Sequence, residues 1–272
     1  METIKQLLRE AELVLIGGGA GLSAAAGLVY SGRRFAENFA PFIQKYHLSD
    51  MYSAGFYPFD TEEEKWAYWA KHILLNRYSA PAQLYRQLYQ LVQDKNYFVI
   101  TTNVDAQFQK SGFSPNRIFA VQGDYGLLQC ATGCHDTLYE NETLVKQMVA
   151  QTDDCAIPTH LVPVCPVCGG RMDVHIRRDA YFVQNRAWYL ANDHFARFVA
   201  GLEGKKAVLL ELGVGFHTPV IIRYPFEQIA EQNQQAVLVR VNKEPAAGSK
   251  HTRYVQQDIA EVIQALCAGQ RY

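Results

Sequence analysis

Four cysteines fall in two close pairs, Cys130-x3-Cys134 and Cys165-x2-Cys168, with 30 residues between the pairs. Two thiolates from each pair can surround a tetrahedral Zn²⁺. The second pair stands in CPVCGG, a knuckle pattern. The first has one residue more than the commonest spacing and stays within the tolerated range. No fifth ligand is evident, so the expected site is closed and structural, holding a module together rather than reacting. The alternative is a set of free thiols in loops. Cys155 and Cys267 lack such partners and read as ordinary residues. A second kind of chemistry sits in polar clusters that follow apolar runs. Residues 101–105 read TTNVD after YFVI, and Gln122-Gly123-Asp124 follows IFAV. Ligands of open α/β sheets bind beyond the carboxyl ends of strands, where these side chains would stand. The plainer reading of Asn103 and Asp105 is a helix cap. Upstream, Gly19-x-Gly21-x-x-Ala24, with Ser23 inside it, fits a dinucleotide fingerprint. Backbone N–H groups at such a strand-to-helix turn can approach a pyrophosphate, although small residues there can also serve close packing alone. Residues 171–178, RMDVHIRR, are unexpectedly basic, which suits either charge binding or a solvated strand edge.

The elements that must position these groups follow from periodicity. Ile4, Leu7, Leu8 and Ala11 share a helical face. Short apolar runs at 13–16, 97–100, 118–121, 207–212 and 236–241 read as buried parallel strands. Between them, Thr61 to Glu64 has the capping-box pattern, with Trp66, Trp69, Ile73 and Leu74 at helical spacing behind it. Those tryptophans read as core. A helix beginning near Pro81 buries Leu84, Leu88 and Leu91 or Val92, and a last one carries Ile259, Val262, Ile263 and Leu266. Residues 30–59 lose strand character and are expected to be a mobile or small helical region over the nucleotide site. The alternation predicts an α/β fold, a doubly wound, Rossmann-like parallel sheet with an inserted zinc-binding module and a helical insert. The nucleotide-binding domain is expected over 1–30, 79–127 and 203–272. The helical or loop insert would span 31–78, and the zinc module with its return segment 128–202.

Composition narrows the function classes. The chain has 272 residues, 49% hydrophobic and 19% charged, enough for a sizeable core. With 26 basic and 27 acidic residues the net charge is −1, which gives no electrostatic case for nucleic acid or an anionic membrane. The N-terminus is amphipathic and charged, unlike a secretory signal, and no apolar run approaches the roughly 20 residues that span a bilayer. Metal-like cysteine pairs and these absences predict a cytoplasmic location.

In order and spacing, the motifs resemble those of the sirtuin family. GAGLSAAAG (19–27) is similar to the sirtuin GAGxSxxSG loop, and TTNVD to TQNID. Gln122-Gly123 falls where sirtuins carry HG. The four cysteines come next, GVGFHTP (213–219) is similar to the GTS loop, and Val241-Asn242 to a late IN motif. The resemblance implies an NAD enzyme that breaks the nicotinamide–ribose bond. It implies that Gly19, Ala20, Gly21 and Ser23 contact the cofactor phosphates, and that Gly213, Val214, Gly215 and Asn242 hold the adenosine side. Asn103 would position the ribose and the attacking group, and Asp105 the nicotinamide carboxamide. Thr102, Gln122, Lys243, Asp258 and Ile259 complete the expected cofactor-binding set.

The departures are informative. Deacylating sirtuins use the histidine of HG as a general base; an amide at Gln122 can hydrogen-bond but takes up no proton near neutral pH. Losing such a base typically costs about 10²- to 10⁴-fold. LVYSGRRF replaces the usual GIPDFR continuation, and Arg177, Arg178 and Asp179 stand where the apolar acyl-lysine clamp is expected. This combination resembles the macrodomain-linked, class M sirtuins of microbes. That likeness implies mono-ADP-ribosyl transfer to a protein, with a lipoylated carrier resembling glycine cleavage H protein as acceptor and a macrodomain hydrolase as the reversing enzyme. Asn103, Gln122, Asp105 and Arg177 are the expected catalytic set, Arg177 as the acceptor- or charge-binding member. The alternatives are a deacylase or NAD glycohydrolase, with His217 as a substitute base, and, in another class, a non-catalytic NAD-sensing module. A zinc-ribbon nucleic-acid binder is disfavoured by the charge balance.

Overall fold

The computed structural model describes residues 1–216, 218–244 and 250–268. The chain divides into two compact units and passes between them repeatedly. The first unit takes Met1–Gly27, Pro81–Gln122 and the chain from Arg186; the second takes Leu28–Ala80 and Gly123–Asn185.

In chain order, helix α1 (Glu2–Glu10) buries Ile4 and Leu8 and leads to strand β1 (Leu13–Gly18). Gly19 then starts the short helix α2 (Ala20–Ala25). Three helices follow: α3 (Gly32–Tyr46), α4 (Met51–Ala54) and α5 (Glu62–Asn76). The Thr61 hydroxyl caps α5 by accepting the Glu64 amide at 3.2 Å, as the capping pattern predicts. Next come α6 (Gln83–Val92), β2 (Asn96–Thr101), α7 (Gln107–Lys110) and β3 (Ile118–Ala120). The second visit to the other unit holds β4 (Gly123–Cys130), β5 (Tyr139–Glu140), α8 (Glu142–Gln151) and β6 (Met172–Ile176). The chain ends with α9 (Arg186–Ala200), β7 (Ala207–Leu212), α10 (Arg223–Gln232), β8 (Ala236–Asn242), β9 (Thr252–Gln256) and α11 (Ile259–Cys267).

The first unit is a six-stranded sheet in the order β3-β2-β1-β7-β8-β9, and every neighbouring pair is parallel. Both faces are covered. Val14, Ile16, Val99 and Leu210 pack on one side with Leu88, Val92 and Val262 from α6 and α11. Leu13, Leu15, Phe98 and Leu209 face the other side, with Phe226 of α10 and, from α9, the partly buried Trp188 and Phe195. Successive strand residues alternate between these clusters, as strand geometry requires. This is the doubly wound arrangement expected from the sequence. The strand order reverses between β1 and β7, and such a switch point opens a crevice at the strand ends. Register places its lip: Gly18 pairs with Thr101 on one side and Leu212 on the other, and Leu212 pairs with Val241. Gly19, Thr102, Gly213 and Asn242 therefore follow at one level.

The second unit is built around the antiparallel sheet β5-β4-β6 with α3, α4, α5 and α8. Residues 30–59, expected to be mobile or a small helical region, are helical in α3 and α4. Phe35, Phe39 and Phe42 recur at helical spacing and are buried, with Phe39 and Phe42 packed on Tyr68. Pro41 lies inside α3, and the helix kinks at Phe39 (φ −121°), as loss of an amide donor and the ring's bulk demand. Trp66 and Trp69 are core, as expected.

Candidate active site

Two glycine turns meet at the switch point with no room between them. Gly213 has φ +62°, and a Cβ there would lie 2.3 Å from the Leu22 nitrogen. A Cβ on Gly21 would lie 2.8 Å from the Gly213 Cα, and one on Gly19 2.6 Å from the Gly213 oxygen. Backbone bonds fix the approach: Gly21 N–H donates to Gly213 O at 2.9 Å, and Gly19 N–H to Leu212 O at 3.0 Å. The two turns thus pack backbone against backbone, a closeness that only glycine permits. On the far side, Asn242 Nδ2 donates to the Val214 carbonyl at 3.2 Å. Gly215 is exposed and open. Lys243 pairs with Asp258 at 2.7 Å, and Asp258 caps α11 through the Ala260 and Glu261 amides. Ile259 is buried in the core at the start of α11.

A buried polar network adjoins the glycine turns. The Thr101 hydroxyl donates to Gly18 O (2.8 Å) and accepts the Asn103 amide (3.0 Å), which bends the chain at the end of β2. Ser23 Oγ donates to Asp105 Oδ2 at 2.5 Å. Asp105 Oδ1 accepts the Gln107 amide at 3.1 Å, the cap-like bond that its plainer reading expected. The Tyr85 hydroxyl lies 2.8 Å from Ser23 Oγ, and Asn103 Nδ2 reaches Gly19 O, Ser23 Oγ and Tyr85 OH at 2.9, 3.1 and 3.2 Å. Ser23, Tyr85 and Asp105 are all buried. Burial, with the Asp105 charge adding to it, pushes the Tyr85 hydroxyl well above the usual tyrosine range, so it stays a donor. The network brings together Ser23, Asn103 and Asp105 of the expected residues and adds Tyr85, whose only signal in the sequence is its place on the inner face of α6. Gln122 follows β3; its Oε1 is buried and meets no donor among the described residues. An orphaned acceptor of that kind calls for a hydroxyl or water.

The four cysteines converge in the second unit. β4 pairs with β6 so that Cys130 lies opposite Met172, and a bridge between Val164 and Arg171 closes the second knuckle. Cys130 Sγ is 3.7 Å from Cys168 Sγ, and Cys134 Sγ is 3.7 Å from Cys165 Sγ. Four sulfurs about 2.3 Å from one tetrahedral ion would sit about 3.8 Å apart, so the spacing fits Zn²⁺. None of these cysteines is in a disulfide. The Thr132 hydroxyl is the chief cause pulling the Cys130 thiol down to about 5, while burial and the neighbouring sulfurs push Cys134 up. Such a mismatch is relieved when a cation lets all four ionise. His135 stands beside the cluster: its Nδ1 lies 3.1 Å from Cys134 Sγ, and its Nε2 lies 2.9 Å from the Tyr139 hydroxyl. The 3.1 Å contact is closer than two ligands of one tetrahedral ion stand, which suits a hydrogen bond to the thiolate rather than a ligand.

Comparison with known proteins agrees with this geometry. The family model for the Sir2 family matches residues 19–190. The chain is 34% identical over 268 residues to a protein ADP-ribosyltransferase of Staphylococcus aureus (strain Mu50 / ATCC 700699), covering 96% of this chain and 85% of that one.

This chain belongs to the Sir2 family.

A Fusarium oxysporum f. sp. cubense protein, a probable bifunctional ADP-ribose hydrolase/ADP-ribosyltransferase, is 30% identical over 257 residues; the match covers 89% of this chain and 42% of that protein. Among solved structures, a Sir2 protein with a p53 peptide and NAD⁺ superposes with a TM-score of 0.63 at 20% identity, over 98% of this chain and 96% of that one, which shows the shared fold. Family and relatives make this sirtuin an NAD-dependent ADP-ribosyltransferase.

For NAD, the residues present fit: the glycine turns stand at the strand ends of the switch point, and Gln122 Oε1 is a buried acceptor without a donor among the described residues. In the second unit, Arg178 of this sirtuin is tied to Asp173 in an ion pair. Arg177 is exposed, its guanidinium 4.5 Å over the Phe182 ring, which itself stacks on His175. The basic run thus contains the edge strand β6, and only part of its charge faces out. His217 lies outside the described residues.

Proposed function

We propose that this sirtuin transfers ADP-ribose from NAD to a side chain of a lipoylated carrier protein resembling glycine cleavage H protein, in the manner of class M sirtuins. The mark would be removed by a macrodomain hydrolase, and the setting is cytoplasmic. The observation that carries the reading is Gln122 with its donorless Oε1. An amide there can hold a ribose hydroxyl by accepting its proton in a hydrogen bond, but it cannot remove that proton as a deacylase base must. Support comes also from the Staphylococcus aureus relative, which is named for ADP-ribosyl transfer to protein.

NAD supplies the ADP-ribosyl group, with nicotinamide as leaving group. The C–N bond to nicotinamide breaks with its electron pair on nicotinamide; the acceptor nucleophile bonds to the ribose carbon and gives up a proton. Asn103, through its carbonyl oxygen, and Gln122, through Oε1, accept from ribose hydroxyls and hold the ring. Asp105 accepts from the nicotinamide carboxamide. Gly19, Ala20, Gly21 and Ser23, at the start of α2, contact the phosphates. Thr102, Gly213, Val214, Gly215, Asn242, Lys243, Asp258 and Ile259 form the remainder of the cofactor site. Arg177, its guanidinium 4.5 Å over the Phe182 ring, binds the anionic acceptor.

The test is a kinetic set. Asn103→Ala is expected to lower protein labelling by about 10²-fold or more, through lost positioning of the reacting ribose. Arg177→Ala is expected to raise KM for the acceptor while leaving nicotinamide release intact. Full transfer by Asn103→Ala would overturn the assignment. Binding of NAD with no nicotinamide release by the wild type would favour a sensing module instead.

A further inference from the structure

We infer that Tyr85 is a positioning residue for the NAD-cleaving step: its buried hydroxyl, locked between Ser23 and Asn103, fixes which face of the Asn103 amide meets the ribose. This rests on the role proposed for Asn103.

The proton positions follow from distances. Ser23 Oγ and Asp105 Oδ2 stand 2.5 Å apart, and two oxygens hold that distance only with a proton between them. An ionised carboxylate has none to give, so Ser23 donates. Ser23 has a single proton; at the 2.8 Å contact the proton is therefore Tyr85's. Tyr85 donates to Ser23, and Ser23 donates to Asp105. The oxygens of Ser23 and Tyr85 then have lone pairs left for one donor, and Asn103 Nδ2 reaches both. Its other N–H goes to the Gly19 carbonyl at 2.9 Å.

An inverted Asn103 amide would set Oδ1 against the Gly19 carbonyl oxygen, acceptor against acceptor. The network thus turns Nδ2 inward and Oδ1 outward. No donor among the described residues reaches Oδ1, which is the acceptor left for a ribose hydroxyl. Tyr85 anchors the arrangement because it enters from a different element. It sits on α6 with no exposed surface, its ring edge-on to Phe108 at 4.9 Å. At a site so enclosed, solvent does not replace a lost hydroxyl.

The experiment measures nicotinamide release from NAD by the full chain, as kcat and KM, for the wild type, Tyr85→Phe, Asn103→Ala and the double variant. Tyr85→Phe keeps the ring on Phe108; Tyr85→Met is the second variant, of similar bulk without a hydroxyl. Tyr85→Phe is expected to lower kcat about tenfold, one hydrogen bond's worth, with KM for NAD within about twofold. On the Asn103→Ala background it is expected to add nothing, because its effect passes through Asn103. A structural role would instead cost activity equally in both backgrounds, and that result overturns the inference. So does an unchanged kcat in both Tyr85 variants. Normal release by Asn103→Ala, or none by the wild type, overturns the proposed role of Asn103 and this inference with it. Loss in Asn103→Ala alongside normal Tyr85→Phe overturns only the role of Tyr85.

Discussion

At the scale of single residues, Gln122 puts an amide where the resemblance to deacylating sirtuins expects a histidine, and its buried Oε1 finds no donor among the described residues. Two substitutions separate its possible roles. Gln122→Ala is expected to lower ADP-ribosyl transfer about tenfold, the worth of one hydrogen bond to the ribose; unchanged transfer would remove Gln122 from the site. Gln122→His is expected to gain deacetylation of an acetyl-lysine peptide, and no gain would show that the altered clamp around Arg177 also blocks that reaction. Ser23, Asn103 and Asp105 were legible because each is a short polar residue directly beyond an apolar strand or in a glycine turn. Tyr85 was not, because a tyrosine on the inner face of an amphipathic helix looks like packing until its hydroxyl is placed. His135 was not legible, because a lone histidine beside a cysteine has no spacing signal of its own until the fold brings its ring to the sulfur.

At the scale of elements, the parallel strands were read almost in full, since a buried strand is a short continuous apolar run. The helices α3, α9 and α10 and the small antiparallel sheet were less visible. In α3 the phenylalanines at 35, 39 and 42 are interleaved with charge and interrupted by Pro41. In α9 the inward residues Trp188, Ala191, Phe195, Phe198 and Val199 are only partly buried, so the stripe is diluted. α5 carries a prediction of its own. His72 is buried among Tyr30, Tyr68, Trp69 and Tyr125, and burial lowers it to about 3. In the unfolded chain a histidine protonates near pH 6.5. Below that value the unfolded state takes up the proton first, so His72 costs stability as pH falls from about 6.5 towards 3, by up to about 1.4 kcal/mol per unit. Denaturation against pH should show a shallower slope over this window in His72→Gln than in the wild type; identical slopes would contradict the buried neutral state. In the other unit, Arg240 of β8 lies fully buried against Glu211 of β7 at 2.7 and 2.9 Å, with Glu227 of α10 at 2.8 Å. Removing one partner strands a buried charge. Glu211→Ala is expected to cost about 3–5 kcal/mol in denaturant unfolding, and a loss under 1 kcal/mol would show the charge relieved some other way.

At the scale of the whole molecule, the chain visits each compact unit more than once, and one cluster gathers two cysteine pairs that lie far apart in sequence. Both cysteine pairs were legible from spacing, but the strand pairing that joins them was not, because β4 and β6 mix apolar with charged residues and lack a clean alternation. Chelation is expected to release zinc close to one per chain and lower Tm by on the order of 10 °C, as loss of a structural ion worth a few kcal/mol would. Metal-free protein with an unchanged Tm would contradict a structural zinc. The acceptor is the part least written into residues. Sites for NAD recur as strand-end glycines and polar side chains, whereas an acceptor protein is met by a surface, the role proposed for the residues around Arg177. The measurement that bears most directly on the central claim incubates the enzyme with adenine-labelled NAD, in an extract containing lipoylated carrier proteins and, in parallel, with an acetyl-lysine peptide. Label on a protein band, removable by a macrodomain, with the peptide still acetylated is the predicted result. Deacetylation without protein labelling would contradict it.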